Sequence, residues 1–363
     1  MGNKGGLPED EVQMNCMAVD NQLLKEQVQD LFRRDFLVRD KEWVSPEKSH
    51  PSIHDQHALR QMEQSIRFDE SIGRYRVGLP WKENREAAAK RLNDIDTLSS
   101  SRNRLIKMAA RLKRDPERKE GVLKSMAEII DLGHATPVEP SPVQEGIPRY
   151  YIPLHVDNRK PGKWRICHDA LSKVNGVCLN DQLLSGPDFM NNLVGVLMRF
   201  RRHEVAISAD IKGFFHHIYV DEKDVEAFRF WWFKDPENLK DLCEFQTWVH
   251  VFGAKSSSGV SGFTLRYHGK KHENEISLEV AMAIQRSFYV DDFLGSFPDV
   301  ETARKTRIGL TKTLKKGGFE LLKWKSTHPQ VLEDGVSTED DDEDQVMVLQ
   351  DKESYMSAPS EKC

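Results

Sequence analysis

Ser287-Phe288-Tyr289-Val290-Asp291-Asp292-Phe293-Leu294 sets two adjacent carboxylates between apolar residues. Apolar flanks predict burial, and a buried carboxylate is costly unless something neutralises it. The usual neutralisers are an Arg or Lys side chain or a divalent cation. No basic residue lies within the segment, which makes a metal a serious candidate. The order apolar–acid–acid–apolar also suits a tight strand–turn–strand with the acids at its tip. Taken alone, Tyr289-Val290-Asp291-Asp292 is a weak signal, because most Asp-Asp pairs are solvated turns. Its weight rises because a second acid, Asp210, closes the apolar run Val205-Ala206-Ile207-Ser208-Ala209 upstream.

The chain has 363 residues, enough for two or three domains or for one large core with a helical preface. Charged residues make up 31% and hydrophobic ones 38%, so some segments are expected to be solvated or disordered. The net charge of −5 hides an asymmetry: basic residues gather in the first half and around 302–325, while Glu339-Asp340-Asp341-Asp342-Glu343-Asp344 is an acidic run. A near-neutral balance therefore does not exclude a nucleic-acid partner, since local patches set that footprint. The five cysteines (Cys16, Cys167, Cys178, Cys243 and Cys363) have no Cys-x-x-Cys spacing, which argues against a disulfide scaffold or zinc module. An intracellular location, cytoplasmic or nuclear, is expected. No apolar run is long enough for a membrane span, no secretory signal is read, and no membrane partner is expected. The Met1-Gly2 start resembles a myristoylation site, but Gly6 stands where Ser or Thr is wanted.

Along the chain, residues 1–20 read as a flexible start. Leu23, Leu24, Val28, Leu31 and Phe32 have helical spacing, and a polar helix is expected over 55–70. Residues 73–82 alternate and lead into a turn, and 83–133 read as helical with a break at Asp115-Pro116. Arg102, Arg104, Lys107, Arg111, Lys113 and Arg114 give that region a basic face, by default a solvated one. Past the prolines at 137, 140, 142 and 148, short strands are expected at 150–154, 164–167, 205–209, 228–233 and 245–252. Helices are expected after Pro187, within 258–285 and over 302–318, the last with Leu310 and Leu314 inward. His50 and His54 have metal-like spacing but lack partners. His216 and His217, read as strand residues, are expected to be packed or at the surface.

Two carboxylates at the ends of neighbouring strands suit hard cations, which take oxygen ligands and keep substrate phosphates in their open positions. A pair of ions roughly 3.5–4 Å apart would clamp the attacking and leaving oxygens of a phosphoryl transfer. Asp210-Ile211-Lys212-Gly213-Phe214-Phe215, with Phe288-Tyr289-Val290-Asp291-Asp292, resembles motifs A and C of reverse transcriptases, and more closely those of BEL/Pao long-terminal-repeat retrotransposons. Further segments resemble that group in the right order. They are Gly73-Arg74-Tyr75-Arg76-Val77-Gly78-Leu79-Pro80-Trp81-Lys82, Lys163-Trp164-Arg165-Ile166-Cys167-His168-Asp169-Ala170 and Leu179-Asn180-Asp181-Gln182-Leu183-Leu184-Ser185-Gly186-Pro187. Val249-His250-Val251-Phe252-Gly253-Ala254 and Gly317-Gly318-Phe319-Glu320-Leu321-Leu322-Lys323-Trp324 follow.

The resemblance implies an α+β fold: the fingers and palm of a right-hand polymerase, the palm an antiparallel ferredoxin-like βαββαβ sheet. It implies an RNA-directed DNA polymerase, a nucleotidyltransferase acting on a primer 3′-hydroxyl. Asp210 and Asp291, helped by the Ile211 carbonyl, would hold two Mg²⁺ ions (Mn²⁺ as an alternative). Asp292 would shape the charge, and Tyr289 and Val290 complete the turn. Phe215 would be the steric gate against a ribose 2′-hydroxyl, Arg165 would reach the incoming triphosphate, and Phe252-Gly253 would lie near nucleotide and template. Lys323 matches a basic position only loosely.

Implied partners are an RNA or DNA template with primer, deoxynucleoside triphosphates and other retroelement polyprotein domains, within retroelement particles among other places. The implied layout is a flexible start over 1–20, a mainly helical linker over 21–140, fingers and palm over 141–330, and an acidic, disordered tail with a truncated thumb over 331–363. Ser258 stands where the family has proline, and Gln350 stands where a primer-grip glycine is expected. No protease, ribonuclease H or integrase signature is read. Two rivals stand beside the enzyme: an inactive retroelement-derived fragment, and a nucleic-acid-binding protein that uses the basic face.

Overall fold

Ser52 acts as a helix cap: its hydroxyl accepts the Asp55 amide while the Asp55 carboxylate accepts the Ser52 amide, so α1 (Ile53–Ser65) begins there. The computed structural model describes residues 52–157, 164–239 and 241–333. β1 (Arg67–Asp69) and β2 (Arg74–Val77) follow as a hairpin. α2 (Arg85–Asn93), α3 (Thr97–Leu112) and α4 (Pro116–Asp131) fill the stretch expected to be helical. The expected break comes at Asp115-Pro116, where Asp115 caps α4 and Pro116 takes a first-turn position in which a missing N–H is harmless. A second break, not read from the sequence, falls at Asp94–Asp96 between α2 and α3. β3 (Ala135–Val138), the hairpin of β4 (Leu154–Asp157) with β5 (Arg165–His168), α5 (Leu179–Gln182) and α6 (Leu193–Phe200) come next. The remainder runs β6 (Val205–Ile211), β7 (Ile218–Val220), β8 (Arg229–Phe233), β9 (Leu242–Thr247), α7 (Ser257–Lys271), α8 (Leu278–Arg286), β10 (Phe288–Tyr289), β11 (Asp292–Phe297), α9 (Val300–Lys316) and β12 (Leu321–Ser326).

The sheet that matters for function has the order β10-β11-β6-β12, with every pairing antiparallel. Read along the chain, β6, the pair α7–α8, the hairpin β10–β11, α9 and β12 make a βαββαβ unit, with β7 to β9 inserted after its first strand. Alternation decides its faces. Val205, Ile207, Ala209 and Ile211 are buried beneath α7, α8 and α9, against Val260, Val280, Ile284, Leu310 and Leu314. Phe293 joins them at 0% exposure, a burial worth about 2–3 kcal/mol. Ser208 and Asp210 fall on the opposite face by the same period of two.

Three smaller sheets surround this unit: β1-β2-β7, with β2 and β7 parallel, then β3-β9-β8, and the β4–β5 pair. Pro137, which marks a boundary in the sequence, lies in β3, an edge strand, where a residue without an N–H is tolerated.

Two buried polar nodes tie distant segments. Asp224, fully buried, accepts from the Leu79 amide at 2.8 Å, the Trp81 indole N–H at 3.0 Å and Arg85 Nε at 2.7 Å. His268, also fully buried, meets the Tyr75 hydroxyl through Nδ1 at 2.9 Å and the Thr313 carbonyl through Nε2 at 2.7 Å. Nε2 is thus the protonated nitrogen and Nδ1 accepts from Tyr75.

Several expectations need correction in detail. The polar helix expected over 55–70 stops at Ser65, and Arg67–Asp69 pairs as β1. The strand expected over 245–252 is β9 only as far as Thr247. Beyond it the chain crosses to β7, with the Val220 amide donating to the Trp248 carbonyl and the His250 amide to the Ile218 carbonyl. Over 150–154, Pro153 interrupts the pairing, so Tyr151 makes a lone bridge to Arg229 and β4 begins at Leu154. His216 and His217 lie in a 3₁₀ turn, Phe214–His217, entered through Gly213 in the left-handed conformation. The expected helix around 23–32, His50, Gln350 and the acidic run fall outside the described residues.

Candidate functional site

β6 carries Asp210 at its penultimate position, and the register with β11 sets Asp292 directly opposite it. Residues opposed across an antiparallel pair share a face, so the two carboxylates lie side by side on the face away from the helices. Tyr289 pairs with Asp292, leaving Val290 and Asp291 as a two-residue turn. Such a turn needs a positive φ, and Val290 supplies it at φ 58°. A β-branched residue there is strained by about 1–3 kcal/mol, a cost met by the packing around it. The Ile211 amide donates to the Asp291 carbonyl at 3.0 Å and locks the turn to the end of β6. Asp210, Ile211, Tyr289, Val290, Asp291 and Asp292 therefore gather at one end of the sheet.

The electrostatics are those of crowded carboxylates. Burial, aided by the negative charges of Asp210 and Asp292, holds the Asp291 carboxyl above the ordinary range. Asp292 is exposed at the tip of β11, against the burial its apolar flanks predict, yet partial desolvation and then the charge of Asp210 raise its carboxyl too. Among the described residues, Lys323 reaches the group, with Nζ 3.1 Å from Asp210 Oδ2. Lys323 arrives from β12 through a bulge. Leu322 pairs with Asp210 and Lys325 with Ser208, so Lys323 and Trp324 together face Ala209. At φ 55°, Lys323 takes a left-handed position where glycine is usual. Sequence reading gave Lys323 little weight, and no periodicity signals a bulge.

Among the described residues, no three His, Cys, Asp or Glu side chains are grouped as an ion cage. The donor set is carboxylates, the oxygen ligands that Mg²⁺ takes in small number while keeping waters and phosphates. The like-charge crowding at Asp291 and Asp292, and the ammonium seated on Asp210, both fit a place for positive charge.

The other site residues form a second neighbourhood. Phe215, in the 3₁₀ turn after β6, packs edge-to-face on Phe252 at 4.5 Å between centroids. Phe252 is 52% exposed. Gly253 has φ 103°, and a Cβ there would stand 1.9 Å from the His168 carbonyl oxygen. The close approach that glycine allows is thus to this protein's own β5, the strand that carries Arg165. Arg165 itself is exposed. Asn180 holds the loop: its Nδ2 donates to the Gly253 carbonyl, and its Oδ1 accepts the Lys255 amide, both at 2.8 Å. Sequence reading assigned Asn180 no role; its only signal was a place in the Leu179–Pro187 segment. Ser258 is an exposed residue in the first turn of α7, where proline and serine both fit. His216 and His217 are packed, and burial lowers them to about 4 and about 3.

No protein-family model and no curated protein matches the chain. Among solved structures it is similar to a foamy viral protease-reverse transcriptase in complex with double-stranded DNA, at a TM-score of 0.43 and 14% identity, over 56% of this chain and 30% of that one. A foamy viral protease-reverse transcriptase in complex with an RNA/DNA hybrid is similar at a TM-score of 0.41 and 15% identity, over 56% of this chain and 23% of that one. The chain spans less than a third of the length of either.

Proposed function

We propose that this chain carries the fingers and palm of a BEL/Pao-type reverse transcriptase, adding deoxynucleotides to a primer 3′-hydroxyl on an RNA template. The observation that carries the reading is the register of Asp210 against Asp292, with Asp291 at the adjoining turn, on one end of a βαββαβ sheet. The order of the sequence motifs supports it.

Asp210 and Asp291, with the Ile211 carbonyl, would hold Mg²⁺ there. The ions would activate the primer hydroxyl and neutralise the leaving pyrophosphate. Asp292 keeps the local field negative and so favours cation entry. The rigid end of β6 and the locked turn keep the carboxylates in place, which matters because small displacements are expensive in rate. Phe215, fixed against Phe252, presents a ring edge that excludes a 2′-hydroxyl. Arg165, the exposed first residue of β5, has the forked donors that suit a triphosphate.

The test is primer extension on an RNA template with Mg²⁺, comparing the chain with Asp291→Asn. The substitution is expected to cut synthesis at least about a hundredfold, since a correctly held ion is worth several kcal/mol. Equal extension by both proteins would refute the reading. A second reading, binding without catalysis, draws on the exposed Arg102, Lys107, Arg111, Lys113 and Arg114 around α3. It expects salt-sensitive nucleic-acid binding that is unchanged by Asp210→Asn and Asp291→Asn, with no synthesis by any of them.

A further inference from the structure

Strict alternation along β12 would turn residue 323 away from Asp210. Leu322 pairs with Asp210 and shares its face, so the next side chain should point to the helices. The bulge inserts one extra residue and reverses that. Leu322 and Lys323 both fall on the Asp210 face, and Trp324 turns inward to meet the Phe293 ring at 5.9 Å. The reversal costs Lys323 a left-handed backbone at φ 55°, about 1–2 kcal/mol for a residue other than glycine. The outcome is an ammonium 3.1 Å from Asp210 Oδ2.

We infer that Lys323 is a built-in counter-ion of the acidic site, seated on Asp210 where a divalent cation would otherwise draw the carboxylate, so that cation binding must displace its ammonium. The inference rests on the proposed metal-binding role of Asp210. It gives Lys323 the part of a positioning residue: it holds the Asp210 side chain before a cation arrives and competes with the cation afterwards. The exchange is possible because the lysine side chain is 55% exposed and can swing into solvent, while Asp210 is 28% exposed and stays. The solvent-facing end also sets the scale, since an ion pair so exposed is worth no more than about 1 kcal/mol.

The experiment is a titration of the full-length chain with Mn²⁺, following free ion by electron paramagnetic resonance. Lys323→Met, Lys323→Arg and Asp210→Asn are run beside it, with circular dichroism to confirm that each variant folds. Lys323→Met is expected to bind Mn²⁺ about three- to fivefold more tightly, up to ~1 kcal/mol. Lys323→Arg keeps the charge and should stay within about twofold of the parent. Mn²⁺ should also raise the melting temperature of Lys323→Met more than that of the parent, because ligand linkage follows affinity. If Lys323→Met binds no more tightly, or Lys323→Arg tightens equally, the counter-ion role is overturned; the metal-site reading still stands if Asp210→Asn weakens binding. If Asp210→Asn binds as well as both the parent and Lys323→Met, the two ideas fall together.

Discussion

Asp224 and Asp210 are both acids at the ends of short elements, and the protein treats them in opposite ways. Asp224 is fully buried and meets a guanidinium, an indole N–H and a backbone amide. Its charge is matched donor by donor, and it joins the segment Leu79–Arg85 to the turn before β8. Asp210 is partly exposed, meets one ammonium, and has two further carboxylates beside it. The first acid completes the fold. The second belongs to a group in which, among the described residues, three carboxylates meet one ammonium, the imbalance on which the proposed cation site rests.

Acid should separate the two regions most strongly. His134, His168, His216, His217, His250 and His268 all have pKa values lowered chiefly by burial, to about 3 or about 4. The unfolded chain takes up these protons near pH 6.5 and the folded chain does not, so stability is full above that value and falls as the pH drops toward 4. His250 alone, fully buried, should cost about 2 kcal/mol between pH 7 and pH 5. Asp291 and Asp292 have raised pKa values and act with the reverse sign, gaining relative stability as they are protonated. Urea unfolding across pH 7 to 5 should show a net loss. A flat profile would mean that the histidines are hydrated.

Next in size is Asp224→Ala. It strands Arg85 and the Trp81 N–H and should cost about 3–5 kcal/mol in urea unfolding. Asp210→Asn, measured in chelator, should change stability by less than about 1 kcal/mol. Similar losses from both would erase the contrast between them. The smallest effect is expected from Asp292→Asn without metal. Removing one of several crowded charges should stabilise the chain, by less than about 1 kcal/mol. A clear destabilisation would show that Asp292 has a neutralising partner of its own.

Much of the acidic site was legible in the sequence, because hairpins and half-buried strands write themselves as local alternation. Val205–Ala209 and the flanks of Asp291-Asp292 read as apolar strands ending in acids, and the helix period showed at Leu310 and Leu314, but the four-strand βαββαβ arrangement was expected only from the family resemblance. What was illegible is pairing across distance. Asp224 meets Leu79, Trp81 and Arg85 over a separation of 139 residues or more, with no period linking them. Gly253 reads as a residue that lets backbone approach, but not as one pressed against His168. The Lys323 bulge was hidden for a different reason: a lysine occupies the left-handed position where glycine would have announced it. The run after Thr247 kept its strand-like residues while changing its partner from β8 to β7, and composition does not encode a choice of partner.

The contact between Tyr75, His268 and Thr313 has a consequence for the birth of the molecule. At ~5–20 residues per second on the ribosome, Thr313 follows Tyr75 by roughly 10–50 s. For roughly the first 7–30 s of that interval β2 also waits for its parallel neighbour β7. The early third of the chain is therefore made long before the segments that shield its apolar side, and non-local pairing of this kind is slow even once they arrive. A nascent chain with this wiring leaves apolar surface uncovered for longer than a helical protein of the same size, whose contacts are mostly local.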